Sequence, residues 1–140
     1  MKCQRTFFLI SLFIFFVFID QLTKYIIRSF GGFYICNSGI AFGLKIAPLF
    51  FYSLWAIIIA TIIITFLTNN CSLKSYSSIF ILAGAFSNIF DRLRYGCVID
   101  FINLKFWPIF NLADIFICLG VSLLIVRFST TDHLLSKKGR

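Results

Sequence analysis

The chain of 140 residues is 60% hydrophobic and 13% charged, and its mean hydropathy is +0.97. Soluble domains contain about 45–50% apolar residues, so this composition excludes an ordinary soluble protein and predicts an integral membrane protein. Thirteen Lys and Arg against five acidic residues, all Asp, give a net charge of +8. Because the cations lie at the ends of apolar runs, we interpret them as topology signals and headgroup anchors, and we expect no nucleic-acid partner.

The first predicted span covers residues 7–27. Lys2 and Arg5, followed by an apolar run, resemble the start of a secretory signal peptide, but polar residues stand where a small-residue cleavage site would follow. A helix over the whole range reaches about 30 Å, which is enough to cross a bilayer. Asp20 and Lys24 stand at i and i+4, the spacing of a helical ion pair, and we assign them a structural role.

Three further spans are predicted over residues 49–67, 76–91 and 110–128. The second span carries no charge and is expected to be scaffold. The third carries small residues that let helices approach closely in lipid. The predicted fold class is therefore an all-α integral membrane protein with four transmembrane helices in a single domain, residues 1–140.

Two long loops, residues 28–48 and 92–109, each contain a short strand-like stretch, and we expect them to form a small β-like cradle. Four spans put both termini on one face of the membrane and both loops on the other. Seven cations on the face that carries the termini, against five in the two long loops, place the termini in the cytoplasm and the cradle outside. The polar residues that then converge on the outer face are Asp20, Lys24, Asn37, Asn88, Asp91, Arg92, Asp100, Asn111 and Asp114.

The cysteines and the single histidine give no metal or redox motif. The five cysteines contain no C-x-x-C pair, and His133 lies in a polar tail, so we expect neither a metal nor a cofactor. Cys71 and Cys118 are interpreted as small buried hydrophobic residues. Cys36 and Cys97 lie in the two outer loops and could pair, although nothing in their spacing favours this.

Three aspartates lie in or beside segments apolar enough for a bilayer, where an ionisable side chain marks a functional site. Two carboxyls that share a proton can activate a water for attack on a peptide carbonyl, and Asp100 and Asp114 are the candidates for such a pair. Asp114 lies near a helix N-terminus, which favours its ionised form. Asp91, next to Arg92, is expected to accept hydrogen bonds that tie the third span to the neighbouring loop. The alternative for all three is a satisfied ion-pair or proton-relay cluster.

Five short motifs in chain order resemble one known family. They are Asp20-x-x-x-Lys24, Asn37-x-Gly39-x-Ala41-Phe42, Gly84-x-x-x-Asn88-x-x-Asp91-Arg92, Gly96-x-Val98-x-Asp100-Phe101 and Phe110-Asn111-x-Ala113-Asp114. Together they resemble the bacterial lipoprotein signal peptidase family, also called signal peptidase II. The resemblance runs from about residue 16 to 125 and is specific because all five motifs occur together.

The resemblance implies an aspartic endopeptidase of the bacterial cytoplasmic membrane. It would remove the signal peptide from prolipoproteins by cutting before a cysteine that carries diacylglycerol, and globomycin-type peptides would inhibit it. It implies a catalytic pair at Asp100 and Asp114, and substrate-binding or supporting positions at Asn37, Gly39, Asn88, Arg92, Asn111 and Ala113. Ser87 stands where the family usually has Gly, and we expect a looser helix contact there.

Two other classes of function compete with this interpretation. A small proton-coupled transporter or channel subunit would also place acids in a membrane, but it should distribute them over several depths. A non-catalytic assembly factor would use the cradle to bind a partner. The sequence implies the membrane lipid as a partner and implies no oligomer.

Overall fold

The computed structural model describes residues 2–39 and 73–138, together with Ala56 and Ala60, and side chains over 7–39 and 76–126. Within the two continuous ranges the chain forms three helices and two strands. These are α1 (Lys2–Ser29), β1 (Ile35–Asn37), α2 (Leu73–Tyr95), β2 (Val98–Asp100) and α3 (Leu112–Lys138). The first, third and fourth predicted spans correspond to α1, α2 and α3. The predicted second span, 49–67, lies outside the described residues apart from the two alanines.

The apolar part of α1 is the clearest membrane-crossing element. Its segment Phe7–Ser29 has 23 residues with a mean hydropathy of 1.9, and among the residues described it is the one helix long and apolar enough to cross a bilayer. An apolar segment of α3, Leu112–Val126, is shorter. Most large apolar side chains along α1 are exposed, as expected for a helix that faces lipid rather than a protein interior.

A glycine fixes the end of α2 and corrects a predicted boundary. The third span was predicted to stop at residue 91, but α2 continues to Tyr95, so Arg92 lies in the helix and not in the following loop. The helix ends there because Gly96 adopts a φ of 75° and its N–H donates to the Arg92 carbonyl at 2.9 Å. A left-handed residue that closes such a bond is a common helix terminator, and glycine adopts it without steric cost.

The fourth predicted span is also displaced. It was predicted over 110–128, whereas α3 begins at Leu112 and continues to Lys138. The start shifts because Phe110 forms an antiparallel bridge with Ile102 and is therefore extended. The end shifts because the prediction stopped where the apolar run stops, whereas a helix can continue through polar residues until a helix-breaking residue occurs.

The two strands form an antiparallel pair that brings the outer loops together. Ile35 lies opposite Asp100, and Asn37 lies opposite Val98. All three residues of β2 are buried, whereas β1 is exposed at its first two positions. This small sheet confirms the predicted β-like pairing of the two loops.

A disulfide between Cys36 and Cys97 crosses the same two strands, with a Cα–Cα distance of 5.4 Å and a sequence separation of 61. The spacing of the cysteines did not favour this pairing, because two residues 61 positions apart carry no local signal that they are in contact. The expectation that Cys118 is buried is wrong, since it lies exposed on α3.

Two glycines bring α2 and α3 into close contact. A Cβ added at Gly84 would collide with the Ala113 carbonyl oxygen and lie 2.8 Å from Ile117. A Cβ at Gly120 would lie 2.7 Å from the Ser77 carbonyl oxygen. Only glycine allows backbones to approach this closely, so Gly84 sets the distance between the middle of α2 and the first turn of α3.

Candidate active site

Asp100 is the last residue of β2 and is 1% exposed. Its two carboxylate oxygens accept hydrogen bonds from two different side-chain amides. Asn37 Nδ2 donates to Oδ2 at 2.8 Å, and Asn111 Nδ2 donates to Oδ1 at 2.6 Å. The strand pairing makes this possible, because Asn37 ends β1 near the partner of Asp100 in the register. The Asn37 amide thus holds a carboxylate of its own chain.

Asp114 lies in the first turn of α3 and forms a capping box with Asn111. Asn111 Oδ1 accepts from the Asp114 N–H at 3.0 Å, and Asp114 Oδ2 accepts from the Asn111 N–H at 3.2 Å. This reciprocal arrangement satisfies backbone donors that the start of a helix leaves free. It also fixes the Asp114 carboxylate at the helix N-terminus, where the helix dipole favours a negative charge.

Asn111 therefore connects the two carboxylates. Its side-chain nitrogen holds Asp100, and its own N–H holds Asp114. Asn88, on α2, adds a second link: its Nδ2 donates to Asp114 Oδ1 at 2.9 Å, and its Oδ1 accepts from Asn111 Nδ2 at 3.1 Å. Residues from both strands and from α2 and α3 thus converge on one pair of acids.

Burial raises the pKa of Asp100 to about 6, from an ordinary value of 3.8. This value is a net result in which burial has the largest effect, the hydrogen bond from Asn37 lowers the pKa because it stabilises the ionised carboxylate, and the negative charge of Asp114 raises it. Two acids whose charges interact in this way titrate as a unit. The site can therefore hold one proton between them up to about pH 6.

Behind this pair lies a buried cluster formed by Asp20, Lys24 and Asp91. Lys24 Nζ lies 2.7 Å from Asp20 Oδ2 and 2.7 Å from Asp91 Oδ2. Both aspartates are 0% exposed, and Lys24 is 2% exposed. Breaking a buried ion pair by removing one partner is strongly destabilising, so the cluster is expected to hold α1 against α2.

The remaining oxygens of the cluster are also bonded. Asp20 Oδ1 accepts from the Ala113 N–H at 2.9 Å, which joins α1 to the first turn of α3. Asp91 Oδ2 accepts from the Ile99 N–H at 3.2 Å, which joins α2 to β2. Asp91 thus accepts hydrogen bonds and ties α2 to the following loop, which agrees with the sequence prediction for this residue.

Lys24 also links the cluster to the acid pair. Its Nζ donates to Asn88 Oδ1 at 3.1 Å. Because the lysine binds the oxygen of the Asn88 amide, the amide nitrogen lies on the opposite side. On that side, Asn88 Nδ2 donates to Asp114. The orientation of the amide that holds Asp114 is therefore set by a buried lysine.

Arg92 and Gly39 connect α2 to the segment after β1. Arg92 Nη2 donates to the Gly39 carbonyl at 2.7 Å, and the Gly39 N–H donates to Asn37 Oδ1 at 3.0 Å. Asn37, which holds Asp100, is in this way itself held in place. All the site residues predicted from the sequence consequently lie in one connected set of contacts.

Sequence reasoning missed Gln21 and misjudged Ser87. Gln21 Nε2 donates to Asp91 Oδ1 at 2.8 Å and to Ser87 Oγ at 2.8 Å. Ser87 is 0% exposed, and its hydroxyl donates to Asp20 Oδ2 at 2.6 Å. The expected loosening at Ser87 is therefore wrong, because the hydroxyl bridges α1 and α2. The available signal was a glutamine directly after Asp20 in an otherwise apolar helix.

The fold and the site together define a helical membrane protein that holds a pair of carboxylates between a small sheet and a helix N-terminus. A sequence model described as "Signal peptidase (SPase) II" matches residues 12–130. The chain is 38% identical over 109 residues to a lipoprotein signal peptidase of Blochmanniella pennsylvanica, covering 69% of this chain and 65% of the relative. It is 38% identical over 123 residues to that of Moorella thermoacetica, covering 76% of this chain and 82% of the relative. The chain thus spans just under two thirds of one of these relatives and most of the other.

Solved structures agree with this assignment. A bacterial membrane enzyme solved by the in meso method at 2.3 Å resolution has a TM-score of 0.78 and 29% identity, and the match covers 87% of each chain. A second, at 1.9 Å resolution, has a TM-score of 0.76 and 28% identity, covering 86% of this chain and 91% of the other. The chain belongs to the signal peptidase II family of bacterial membrane peptidases, and the resemblance inferred from its motifs is confirmed.

Proposed function

We propose that this protein is an aspartic endopeptidase that removes signal peptides from diacylglyceryl-modified prolipoproteins by cutting before the lipidated cysteine. Membership of the signal peptidase II family supports cleavage of prolipoprotein signal peptides. The aspartic mechanism rests on one observation: Asn111 holds the carboxylates of both the buried Asp100 and the partly buried Asp114.

In the proposed mechanism the two acids share one proton. Asp114, at the helix N-terminus, begins as the charged partner and removes a proton from a water molecule. The resulting hydroxide attacks the carbonyl carbon of the scissile peptide bond. Asp100, whose pKa is raised by burial, supplies its proton toward the departing amide nitrogen. The carbon–nitrogen bond then breaks, and the proton gained by Asp114 leaves one proton on the pair for the next cycle.

The asparagines would hold the two carboxylates in the same position and orientation throughout the catalytic cycle. Asn37, Asn88 and Asn111 donate only neutral amide hydrogen bonds to the acids. Such donors orient a carboxylate without neutralising it as a contacting lysine would, so the pair remains able to exchange protons. In this proposal Arg92, Gly39 and Ala113 position the surrounding backbone, and Asp20, Lys24 and Asp91 support the site structurally.

The same proposal includes the membrane arrangement. Four spans would put the termini in the cytoplasm and the sheet at the outer face of the bacterial inner membrane, so that a substrate with its acyl chains in lipid presents its cleavage site to the acids. The disulfide between Cys36 and Cys97 supports this orientation, because disulfides persist in oxidising compartments outside the cytoplasm. Globomycin-type peptides would compete with the substrate for this site.

The arrangement of the described acids favours a peptidase over a proton-coupled transporter. Asp20, Asp91, Asp100 and Asp114, the four aspartates whose side chains the structure describes, belong to one connected cluster. A proton path across a membrane needs ionisable groups at successive depths. One compact cluster instead suits chemistry at a single depth.

The test is cleavage of a lipid-modified precursor by the purified full-length protein in detergent, with Asp100→Asn and Asp114→Asn as variants. Removal of an acid–base group should lower kcat by roughly 10²–10⁴-fold, while both variants stay folded. The matched control is Asp91→Asn, which makes the same chemical change within the ion-pair cluster. This control should reduce the yield of folded protein, because Lys24 loses a buried charged partner.

Two outcomes would contradict the proposal. A folded Asp100→Asn or Asp114→Asn variant that cuts at the parent rate would remove that residue from the catalytic pair. A stable but inactive Asp91→Asn variant would move Asp91 from the supporting cluster into the catalytic set.

A further inference from the structure

A groove of about 520 Å³ lies between α1 and α2, on a part of the molecule that does not include the acid pair. Its walls are mostly aromatic and aliphatic. The lining residues on α1 include Phe13, Val17 and Phe18, and those on α2 include Phe86 and Phe90. The edges of these walls are exposed, with Phe18 at 60% and Phe86 at 48%, so the groove is open to the surroundings of the helices.

The mouth of the groove is cationic. Arg28 lies in the last turn of α1 and Arg94 in the last turn of α2, and both line the groove. Both guanidinium groups lie near the ring of Tyr95, whose centroid is 3.9 Å from Arg28 Cζ and 5.3 Å from Arg94 Cζ. Cation–π contacts of this kind hold guanidinium groups in place without neutralising them.

No acidic side chain is among the residues that line the groove. The third cation of the lining, Lys24, is already paired with Asp20 and Asp91. The mouth therefore presents two positive charges, from Arg28 and Arg94, above an apolar slot. This combination is complementary to a molecule with an anionic head and an apolar tail.

The length of the groove fits one leaflet of a bilayer. From Phe13 to Arg28 the helix rises by about 22 Å at 1.5 Å per residue. Half of a hydrocarbon core is about 15 Å, and a headgroup layer adds about 5–7 Å. An acyl chain lying along the aromatic walls would thus place its phosphate at the level of the arginines.

We propose that the groove between α1 and α2 binds one anionic phospholipid, with its phosphate between Arg28 and Arg94 and an acyl chain along Phe18, Phe86 and Phe90. This site is distinct from the proposed catalytic site, because neither Asp100 nor Asp114 lines it. It also differs in chemistry from the diacylglyceryl group of the proposed substrate, which carries no phosphate. The floor of the groove includes Gln21, so the bound lipid would lie against the back of the Asp91 cluster.

The experiment titrates the detergent-solubilised full-length protein with dioleoyl phosphatidylglycerol and counts bound lipids by native mass spectrometry. Dioleoylglycerol, which has the same chains without a phosphate, and inorganic phosphate, which has no chains, are the comparison probes. We expect one phosphatidylglycerol to bind at least about tenfold more tightly than either probe, since both halves of the site must be filled.

The variants separate the arginine pair from general surface charge. Arg28→Gln and Arg94→Gln should each weaken phosphatidylglycerol binding severalfold, and the double variant should abolish the preference over dioleoylglycerol. Lys105→Ala is the matched control, because Lys105 is an exposed cation in the loop after β2 that does not line the groove. It should bind the lipid like the parent protein.

The proposal is overturned if dioleoylglycerol binds as tightly as phosphatidylglycerol, if both single arginine variants bind like the parent, or if Lys105→Ala causes the same loss. The single variants are sufficient for this decision, so poor expression of the double variant does not affect it. Cleavage of the precursor by the same preparations tests the proposed function separately, since lipid binding and proteolysis are measured by different signals.

Discussion

Asp100 is a buried acid, and burial makes its ionised form unfavourable. Burial raises the pKa of Asp100 to about 6, so between pH 3.8 and about 6 the folded protein holds a proton that the unfolded chain has lost. Stability from this group is fully present below the ordinary pKa and is lost as the pH rises through about 6.

This linkage predicts how stability depends on pH. The free energy of unfolding of the parent protein should fall between pH 4 and pH 7, and Asp100→Asn should remove roughly 1 to 3 kcal/mol of that fall. The measurement is denaturant or thermal unfolding in detergent at both pH values. Because only the difference between the two pH values is used, a constant cost of losing a hydrogen bond in the variant cancels. An unchanged pH slope in the variant would contradict the raised pKa.

The same pKa predicts an alkaline limit to activity. If the pair needs one proton, kcat/KM should decrease about tenfold per pH unit above the upper apparent pKa of the free protein, with its midpoint at about pH 6 rather than near 4. Because the hydrogen bond from Asn37 lowers the pKa of Asp100, Asn37→Ala should move this midpoint to higher pH. A profile of kcat/KM from pH 4 to 8 measures both effects. A midpoint that moves to lower pH in the variant would contradict the proposed role of Asn37.

At the residue scale, the sequence is informative about acids and less so about amides. Asp91, Asp100 and Asp114 were recognisable because a carboxylate in an apolar segment is rare. Gln21 was not, because a single glutamine in a helix has no rule that says which neighbour its amide faces. Asn37 was recognised as a site residue, but only the strand register shows that its amide holds Asp100.

At the scale of elements, α3 begins where a polar pair can cap it. Asn111 and Asp114 satisfy the first free backbone donors, and Asn111 also holds both acids of the pair. The apolar pattern alone predicted a start at residue 110, since hydrophobicity marks where a span is apolar but not where its backbone hydrogen bonds begin. The capping pair is therefore better evidence for the boundary than the apolar run.

The small sheet depends on its cross-link. A loop of this length makes the disulfide worth about 2–4 kcal/mol, and we expect the lower part of this range because the helices already restrict the chain. Cys36→Ser with Cys97→Ser, or reduction of the parent, should lower the apparent Tm and reduce cleavage severalfold, because Asn37 and Asp100 lie on the two strands that it joins. Thermal unfolding and precursor cleavage in detergent measure the two effects.

Cys118→Ser is the matched control for this experiment, since Cys118 is exposed on α3 and is not cross-linked. It should change neither the Tm nor the rate. A doubly substituted protein with parental Tm and activity would show that the strands hold the acids in place without the cross-link.

At the scale of the whole molecule, the described polar side chains gather where α1, α2, α3 and the sheet meet. Asp20 joins α1 to α3, Asp91 joins α2 to β2, and Lys24 contacts both acids. The count of spans and the direction of the chain were enough to predict that these residues share one face. The individual partners were not predictable, because they depend on helix rotation that a single sequence does not specify.

The proposed orientation makes a prediction about chemical access. The experiment uses intact cells whose cytoplasmic membrane is directly accessible to reagents from outside. A membrane-impermeant maleimide should label Cys36 and Cys97 only after treatment with a membrane-impermeant reductant. Peptide mass spectrometry would identify the labelled sites. Cys118, in the apolar part of α3, should stay unlabelled, because a membrane-impermeant reagent does not enter the hydrocarbon layer in which this segment is proposed to lie. If Cys36 or Cys97 were labelled only from the cytoplasmic side, the proposed orientation would be wrong and the sheet would lie at the inner face.

The double duty of Asn111 has a consequence for how the enzyme would fail when heated. The Asn111 side chain caps the first turn of α3 and also donates a hydrogen bond to Asp100. Fraying of that turn would therefore also separate the two acids. Helix ends open at a lower energetic cost than whole helices. On heating, activity should accordingly be lost at a lower temperature than the helical circular dichroism signal. The protein would then be inactive while most of its helices are still folded.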